Sequence, residues 1–577
     1  MENLKNSRAV LLGAALVFCA ALAAQAPAVS DSLLWDDALY VAANPFVRDC
    51  KNLLKPLAPA NFFKVLPVPM AARPAVNASL IADACAGAGP RGLKLTNLLL
   101  HAFNGVLLFL LLLALTGEFV PALGAAALFA AHPAAAELVN IAVFRSHLLG
   151  FFFFTCALLA SLSYARKPSK AAALAAPACA LLGMLSVETA IVIPAAAAAV
   201  VYADSGKEAL RRCARLLAAL LLTAAFYGWF RAPRSGYDIE GVSSRGVASA
   251  SALYPRSMFP STTASADRGM PLTPWNAVYT APREKLFTMS GIVAGYIKDM
   301  ALPVSLRTDY NPRVVTASWT GFLLLLFTLS FPAAGAWLLY RRNLAGLGLA
   351  LAVLALAPAW NILPIYNIRA DRYLYLPLGG AALFLAALLA RLPRRAAGAA
   401  ALAAVLFFGA LSVRRAPAFK DDLAFFSEAV RRGPDVPRAR ANLAAALLRS
   451  GDCAGASKEA DAASRLAPEN ALLRLRLAYT LAACRNGAGA LPEALRALQA
   501  LPGSADALYL AGLLELKTDR AAGRALLAKA LAADPAHEEA RLTLALLDKK
   551  KAGRLSPREN TALAELAAFY RKAGLFF

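Results

Sequence analysis

Charge is scarce along this chain. Only 17% of its 577 residues are Asp, Glu, Lys or Arg, whereas 59% are hydrophobic. So little charge over such a length excludes an ordinary soluble protein and implies an integral membrane protein with room for a second domain. Acidic residues are the scarcer sign, 36 against 60 basic ones, for a formal net charge of +24. No concentrated basic and aromatic face accompanies that excess. Lys and Arg are scattered between apolar runs, which points away from nucleic acid and toward anionic lipid. Cysteine is sparse too, with eight in all. Cys50 and Cys85 in one polar region, and Cys453 and Cys484 near the C-terminal end, each offer one pair to an oxidising compartment. Four ordinary buried thiols are the alternative.

What is abundant is apolar sequence punctuated by basic clusters, and the clusters set a topology by the positive-inside rule. The first run, 9–24, follows Lys5 and Arg8 and ends in "AQA". A retained anchor is the preferred reading and a cleaved signal the alternative. Further crossings are expected at 95–115, 119–131, 139–164, twice within 171–203, and at 216–230, 322–340, 344–360, 376–390 and 396–413, about eleven in all. The segment 287–302 carries Lys298 and Asp299 and reads as interfacial or re-entrant. A long polar loop is expected at 231–285. This scheme places the amino terminus in the cytoplasm and the end of the chain on the external side, periplasmic or lumenal. Arg414 and Arg415, on the outer side, run against it.

Past Arg415 the composition turns to Ala, Leu, Arg, Glu and Asp at helical periodicity. Pro468, Pro502 and Pro535 are separated by 34 and 33 residues, and small residues recur in phase with them: Ala456 and Ala463, Ala490 and Ala497, Gly523 and Ala530. That is the pattern of tetratricopeptide repeats, where small residues let paired helices approach and stack. The predicted architecture is therefore all-α. A polytopic membrane helix bundle occupies 1–414 and a tetratricopeptide-repeat α-solenoid 415–577, with repeats clearest at 437–470, 471–504 and 505–537. A fourth unit is expected to begin near Ala540, and the end of the chain to cap the stack.

On this topology the ionisable residues set in apolar surroundings gather on the external side. They include Asp36 and Asp37 in "SLLWDDALYVAANPFV", Arg73, His132 with Glu137, Arg145, Glu188, and Arg369, Asp371 and Arg372 in "NILPIYNIRADRYLYLP". Carboxylates on one loop and arginines on others suit an anionic lipid head group, because the planar guanidinium grips phosphate oxygens in pairs. A nearby carboxylate could act as general base toward a hydroxyl. Asn97 and His101, one helical turn apart, fit hydrogen bonding to a neighbouring span.

"WDDALYVAANPFV", "ARP" at Ala72 to Pro74, "LKLTNLLLHAFNGVLLFLL", "FAAHPAAAELVNIAVFRSHLLG", "LLGMLSVETAIVIP", "LPVSLRTDYNP" and "RADRYLYLPLGG" stand in the order seen in a known family, and repeats follow the last span. As a set they resemble the transmembrane and tetratricopeptide-repeat O-mannosyltransferase-like family. The resemblance covers nearly the whole chain. It implies a GT-C membrane glycosyltransferase with a polyprenyl-phosphate sugar as donor substrate and an external protein acceptor held by the repeats. It implies Asp36 or Asp37 as catalytic base, with the same pair able to hold a divalent cation. His132, Glu137, Arg145, Glu188, Arg369, Asp371 and Arg372 then contact donor phosphate or substrate, Arg369 and Arg372 foremost. Two positions depart from the family pattern: Phe144 precedes Arg145 where glycine is common, and Val187 stands where lysine is usual. The competing expectations are a GT-C enzyme acting on a lipid or surface glycan, and a non-catalytic membrane anchor whose repeats recruit partners.

Overall fold

The computed structural model describes residues 7–42, 44, 46–58, 73–231, 282–312, 314–361, 367–535 and 537–548. Nearly all of the expected polar loop 231–285 and the expected cap at the chain end lie outside the described residues. Every regular element described is helical, and no strand occurs among the described residues.

Among the described residues, seven helices are long and apolar enough to cross a membrane: Ser7–Ala28, Pro90–Thr116, Ala142–Arg166, Glu188–Arg212, Trp319–Tyr340, Asp371–Leu389 and Arg394–Phe419. Four shorter apolar helices accompany them: Phe119–Ala131, Lys170–Met184, Ala214–Trp229 and Leu344–Trp360. In chain order the α-helical parts are α1 (Ser7–Gln25), α2 (Pro74–Cys85), α3 (Pro90–Thr116), α4 (Phe119–Ala131), α5 (Ala135–Asn140), α6 (Arg145–Arg166), α7 (Lys170–Met184), α8 (Ile193–Arg212) and α9 (Ala214–Arg231). They continue with α10 (Pro282–Ala301), α11 (Trp319–Tyr340), α12 (Leu344–Leu356), α13 (Tyr375–Leu389) and α14 (Arg394–Arg415).

Local sequence explains where these helices begin and end. Prolines at the first turn start α2 and α3, where a missing N–H costs nothing. Ser169, Ser318 and Asn343 cap α7, α11 and α12 through their side chains. Gly117, at φ +68°, ends α3 in the left-handed conformation. The expected crossing at 139–164 corresponds to the span Ala142–Arg166; its start lies past Ile141, where α5 has stopped and a 3-10 turn, Ala142–Phe144, leads into α6.

The bundle core sits between α3, α4, α6 and α13. Phe129, Phe151 and Tyr375 meet there with ring centroids 4.8–5.2 Å apart. His101 and Asn104 of α3 both bond the Tyr375 hydroxyl, at 2.8 and 3.2 Å, and Asn97 donates to the Leu138 carbonyl at 2.9 Å. These bonds tie α3 to α5 and α13 through polar side chains set in apolar surroundings. Helices α12 and α13 pack closely, because Gly348 and Gly380 present bare backbone to the opposite helix. By contrast α11 turns Leu323, Leu326 and Phe327 outward, and α14 turns out Leu402 and Leu406. An apolar surface of this extent suits hydrocarbon rather than water.

Beyond α14, eight further helices follow: α15 (Asp422–Arg432), α16 (Pro437–Arg449), α17 (Cys453–Leu466), α18 (Ala471–Ala483), α19 (Gly487–Ala500), α20 (Ala505–Glu515), α21 (Arg520–Ala533) and α22 (Glu538–Leu547). They pack in successive pairs, α16 on α17, α18 on α19 and α20 on α21. The sequence period is visible in the bonds. Arg440 caps the Pro434 carbonyl and pairs with Glu459; 34 residues on, Arg474 caps Pro468 and pairs with Glu493. Asp452 and Asn486, also 34 apart, accept from Gly455 N and Gly489 N. The Cys453–Cys484 disulfide joins the first pair to the second.

Candidate functional site

The "WDD" stretch lies where the membrane bundle, the α5–α6 corner and the first C-terminal helices meet. Its three residues take three different roles. Trp35 adopts a positive φ of +49°, rare for an aromatic residue. Its ring lies among Phe144, Phe425 and Phe426 at centroid distances of 5.9–6.3 Å, and its N–H donates to Asp422 at 2.9 Å. Trp35 therefore seats α15 on the bundle.

Asp37 is fully buried, and its carboxylate accepts the N–H groups of Ala142 (2.9 Å), Val143 (3.0 Å) and Leu34 (3.5 Å). This bond set separates α5 from the span that begins at Ala142, since the N–H groups of the 3-10 turn find a carboxylate instead of the preceding helix. Burial raises the Asp37 carboxyl to about 7, and the three N–H donors oppose that rise.

Asp36 is left half-buried, and no hydrogen bond to its carboxylate occurs among the described residues. Burial raises its pKa, while Arg372, Arg438 and Arg73 act against burial by their charge. One acid thus holds the fold together, and the other stands among cations with its oxygens open. Both Asp37 oxygens accept backbone N–H groups, and Arg372, Arg438 and Arg73 act on Asp36 by their charge. Among the described residues, no group of three His, Cys, Asp or Glu side chains converges in metal-binding fashion.

The arginines facing Asp36 come from separate elements. Arg372 starts the turn that leads into α13; it pairs with Glu137 at 3.0 Å and stacks over Phe144 at 4.5 Å. The second Glu137 oxygen is buried and accepts no hydrogen bond. Burial raises this carboxyl, with Arg372 opposing. Arg73 precedes α2, donates to Ser146 at 3.0 Å and pairs with Glu188 at 3.2 Å. Glu188 itself lies at the turn between α7 and α8, one-third exposed. Arg369 is not one of the arginines acting on Asp36; it pairs with Asp299 at 2.5 Å and lies over the Tyr310 ring at 4.3 Å. Asp371 is buried, accepts from Arg415 at 3.2 Å and takes the Tyr310 hydroxyl as a second donor.

Two expected site residues stand apart from this cluster. Arg145 is 1% exposed and spends its donors on Asn97 (2.6 Å), Ser79 (3.2 Å), Asp83 (2.5 Å) and the Leu93 carbonyl (2.9 Å). It ties α2 and α3 to α6 and has no fork to offer a phosphate. His132 is buried at the end of α4. Its Nδ1 accepts from Ala134 N at 3.2 Å, its ring packs on Phe408, and burial pushes its imidazole down to about 3. It is a neutral cap of the loop before α5.

Sequence reasoning does not single out Asp309, Tyr310, His147 or Arg438 as site residues. Asp309 and Tyr310 sit in the "LPVSLRTDYNP" stretch, where the signal is an acid beside an aromatic just after a helix. His147 packs its ring 6.0 Å from that of Tyr373. Arg438 belongs to α16 and grips Asp309 through Nε (2.7 Å) and Nη2, and Asn367 through Nη1 (2.7 Å). Arg415, discordant with the topology as a charge outside the last span, is explained by its buried pairing with Asp371 and its 3.0 Å bond to the Pro133 carbonyl.

The Cys50–Cys85 disulfide closes the loop after "WDD" onto α2, on the side of the bundle that carries the arginines. Cys19, Cys156, Cys179 and Cys213 are unpaired. No family model matches the chain, and no curated protein matches it either.

Proposed function

We propose that this chain is a membrane glycosyltransferase of the GT-C class. It transfers mannose or another hexose, with inversion, from a polyprenyl-phosphate-linked donor to hydroxyl groups of an external protein acceptor. The observation that carries the reading is Asp36: a half-buried carboxylate with no hydrogen-bond partner among the described residues, facing Arg73, Arg372 and Arg438. A purely structural acid would be bonded as Asp37 is. A free base beside a cluster of arginines is what hydroxyl attack on a lipid phosphosugar needs.

In the proposed step the acceptor hydroxyl gives its proton to an Asp36 oxygen while its own oxygen bonds the anomeric carbon. The bond from that carbon to the phosphate oxygen breaks on the opposite face. Arg372, Arg369 and Arg73 stabilise the departing lipid phosphate, their forks being suited to its oxygens.

The seven membrane-length helices and four shorter apolar ones together give the eleven spans we propose. Two disulfides and the arginine-rich site favour an external, oxidising side for the loops and the C-terminal helices. Arg166, Arg341, Arg342, Arg394 and Arg395 stand at helix ends, and Arg166 and Arg342 both bond Asp204, which supports a shared cytoplasmic side for these basic ends. The 34-residue recurrence of the Arg440 and Arg474 bonds supports tetratricopeptide repeats, whose stacked helices would carry the acceptor polypeptide.

The test is sugar transfer from a polyprenyl-phosphate hexose by the purified full chain in lipid nanodiscs, wild type against Asp36→Asn. The isosteric amide cannot take the proton, so turnover should fall at least 100-fold or so while the protein stays folded. Undiminished transfer by Asp36→Asn removes the base. No transfer by the wild type from any such donor removes the reading.

A further inference from the structure

Arg438 breaks the pattern of its own repeat. It is the second residue of α16; the second residues of α18 and α20, 34 and 68 positions on, are Leu472 and Asp506. Among the described residues, α15 and α16 reach the membrane bundle through a dense set of bonds: Trp35 N to Asp422, Arg432 to the Leu306 carbonyl at 2.8 Å, and Asn311 to the Asp435 carbonyl at 3.0 Å. Arg438 lies in the middle of that set, and each of its three guanidinium nitrogens donates to a loop of the bundle.

The two loops it joins carry the rest of the cluster. Asp309 adjoins Tyr310, whose hydroxyl holds Asp371 and whose ring supports Arg369. Asn367 is two residues before Arg369 and five before Arg372. A planar fork that bonds both loops at once fixes their spacing, which a single charge–charge contact would not do. Asp309 is nearly buried, so loss of its partner would leave a desolvated carboxylate free to draw the loop elsewhere.

We propose that Arg438 is a positioning residue of the transfer site, supplied by the C-terminal helices, and that docking of these helices assembles the arginine cluster around Asp36 as well as holding an acceptor. The link to transfer rests on the glycosyltransferase reading; the coupling of the two loops does not. Arg438 also faces Asp36 with its charge, so its loss should move the acid limb of the pH profile upward.

The experiment compares wild type, Arg438→Ala, Arg438→Lys and Asp309→Asn as full chains in nanodiscs, by hydrogen exchange and by transfer from a polyprenyl-phosphate hexose. Arg438→Ala and Asp309→Asn should speed exchange in 307–312 and 367–370 while α18 to α21 keep wild-type protection. Asp309→Asn leaves α16 untouched, so it decides the matter should Arg438→Ala disturb that helix. Turnover should drop roughly 10- to 100-fold in kcat with acceptor KM little changed, as expected for misplaced reacting groups. Arg438→Lys should recover part of the rate. Unchanged exchange in both loops overturns the coupling, and so does a loss confined to acceptor KM, which would make Arg438 part of the acceptor surface. Wild-type protein without turnover would remove the transferase reading, and the exchange comparison would still decide the coupling.

Discussion

The Asp37 carboxylate holds Val143 in place: the Val143 N–H points at Oδ1 from 3.0 Å, while Ala142 N occupies Oδ2 at 2.9 Å. This contact turns the chain out of α5 and into α6, and so brings Phe144 beneath the Arg372 guanidinium. Asp37→Ala would orphan these buried N–H groups at about 1–3 kcal/mol each. We expect a clear loss of thermal stability, with Asp37→Asn intermediate because an amide keeps one acceptor oxygen. Asp36→Asn should leave the melting temperature almost unchanged. Equal melting temperatures for the Asp37→Ala and Asp36→Asn proteins would contradict the division of labour between the two acids.

Arg145 should behave as a structural residue. Replacing it with Met keeps the volume but leaves Asp83 and Asn97 without their buried partner, a change that costs about 3–5 kcal/mol for buried pairs. The expected outcome is a poorly folding protein, read as loss of the monodisperse peak in size-exclusion chromatography. Arg73→Met, whose pair with Glu188 is about one-third exposed, should instead yield folded protein with weakened donor binding. Well-folded Arg145→Met protein with a donor-binding defect alone would restore Arg145 to the site.

Helices, their approximate limits and the 34-residue period are legible in the sequence because they follow from periodic apolar spacing and recurrent small residues. The convergence of Glu137, Asp371, Arg369 and Arg372 is half legible. Their polarity in apolar context marks them, yet nothing local says that Glu137 meets Arg372 across 235 residues of chain. The different fates of Asp36 and Asp37 are not legible at all. Adjacent acids look alike until the 3-10 turn at Ala142 places its N–H groups over one of them. Arg145 misleads for a related reason: an arginine bound by four neighbours and one open to a ligand have the same signature in sequence.

Gly295 makes room for Arg369. A Cβ built there would meet the Arg369 Nη1 at 2.7 Å and Cζ at 3.0 Å. The obstructed group is the end of a long side chain, so Gly295→Ala should leave the fold intact and push the guanidinium off α10. With Arg369 as a donor-phosphate contact, affinity for the polyprenyl-phosphate sugar should fall, by roughly 10-fold for one displaced charge-assisted contact. Donor binding by Gly295→Ala and by Arg369→Ala, measured side by side, should be reduced alike. Wild-type affinity in Gly295→Ala, alongside weak binding by Arg369→Ala, would show that the guanidinium needs no space at Gly295.

The Cys453–Cys484 bridge closes a loop of 31 residues between the first two helix pairs. Loop-closure entropy for that length corresponds to roughly 3–4 kcal/mol. Its removal in the Cys453→Ser, Cys484→Ser double variant should lower the stability of α16 to α19 and spare the bundle, which carries its own bridge at Cys50–Cys85. Hydrogen exchange resolved by segment would show faster opening of 437–500 alone. A uniform increase across the bundle would mean that the helix pairs and the membrane helices unfold as one unit.

A base must be ionised to work, and this fixes the direction of the pH dependence. Burial holds the Asp36 carboxyl above its ordinary value of 3.8, against the pull of Arg372, Arg438 and Arg73. Turnover should therefore be full at higher pH and fall away as pH drops through that raised value, above the ordinary carboxylate position. Arg73→Ala withdraws one of the opposing charges and should carry the limb to still higher pH, in kcat/KM measured against donor. A limb that stays in place in Arg73→Ala, or a profile with no acid limb above the ordinary carboxylate position, would assign the proton transfer to a group other than Asp36.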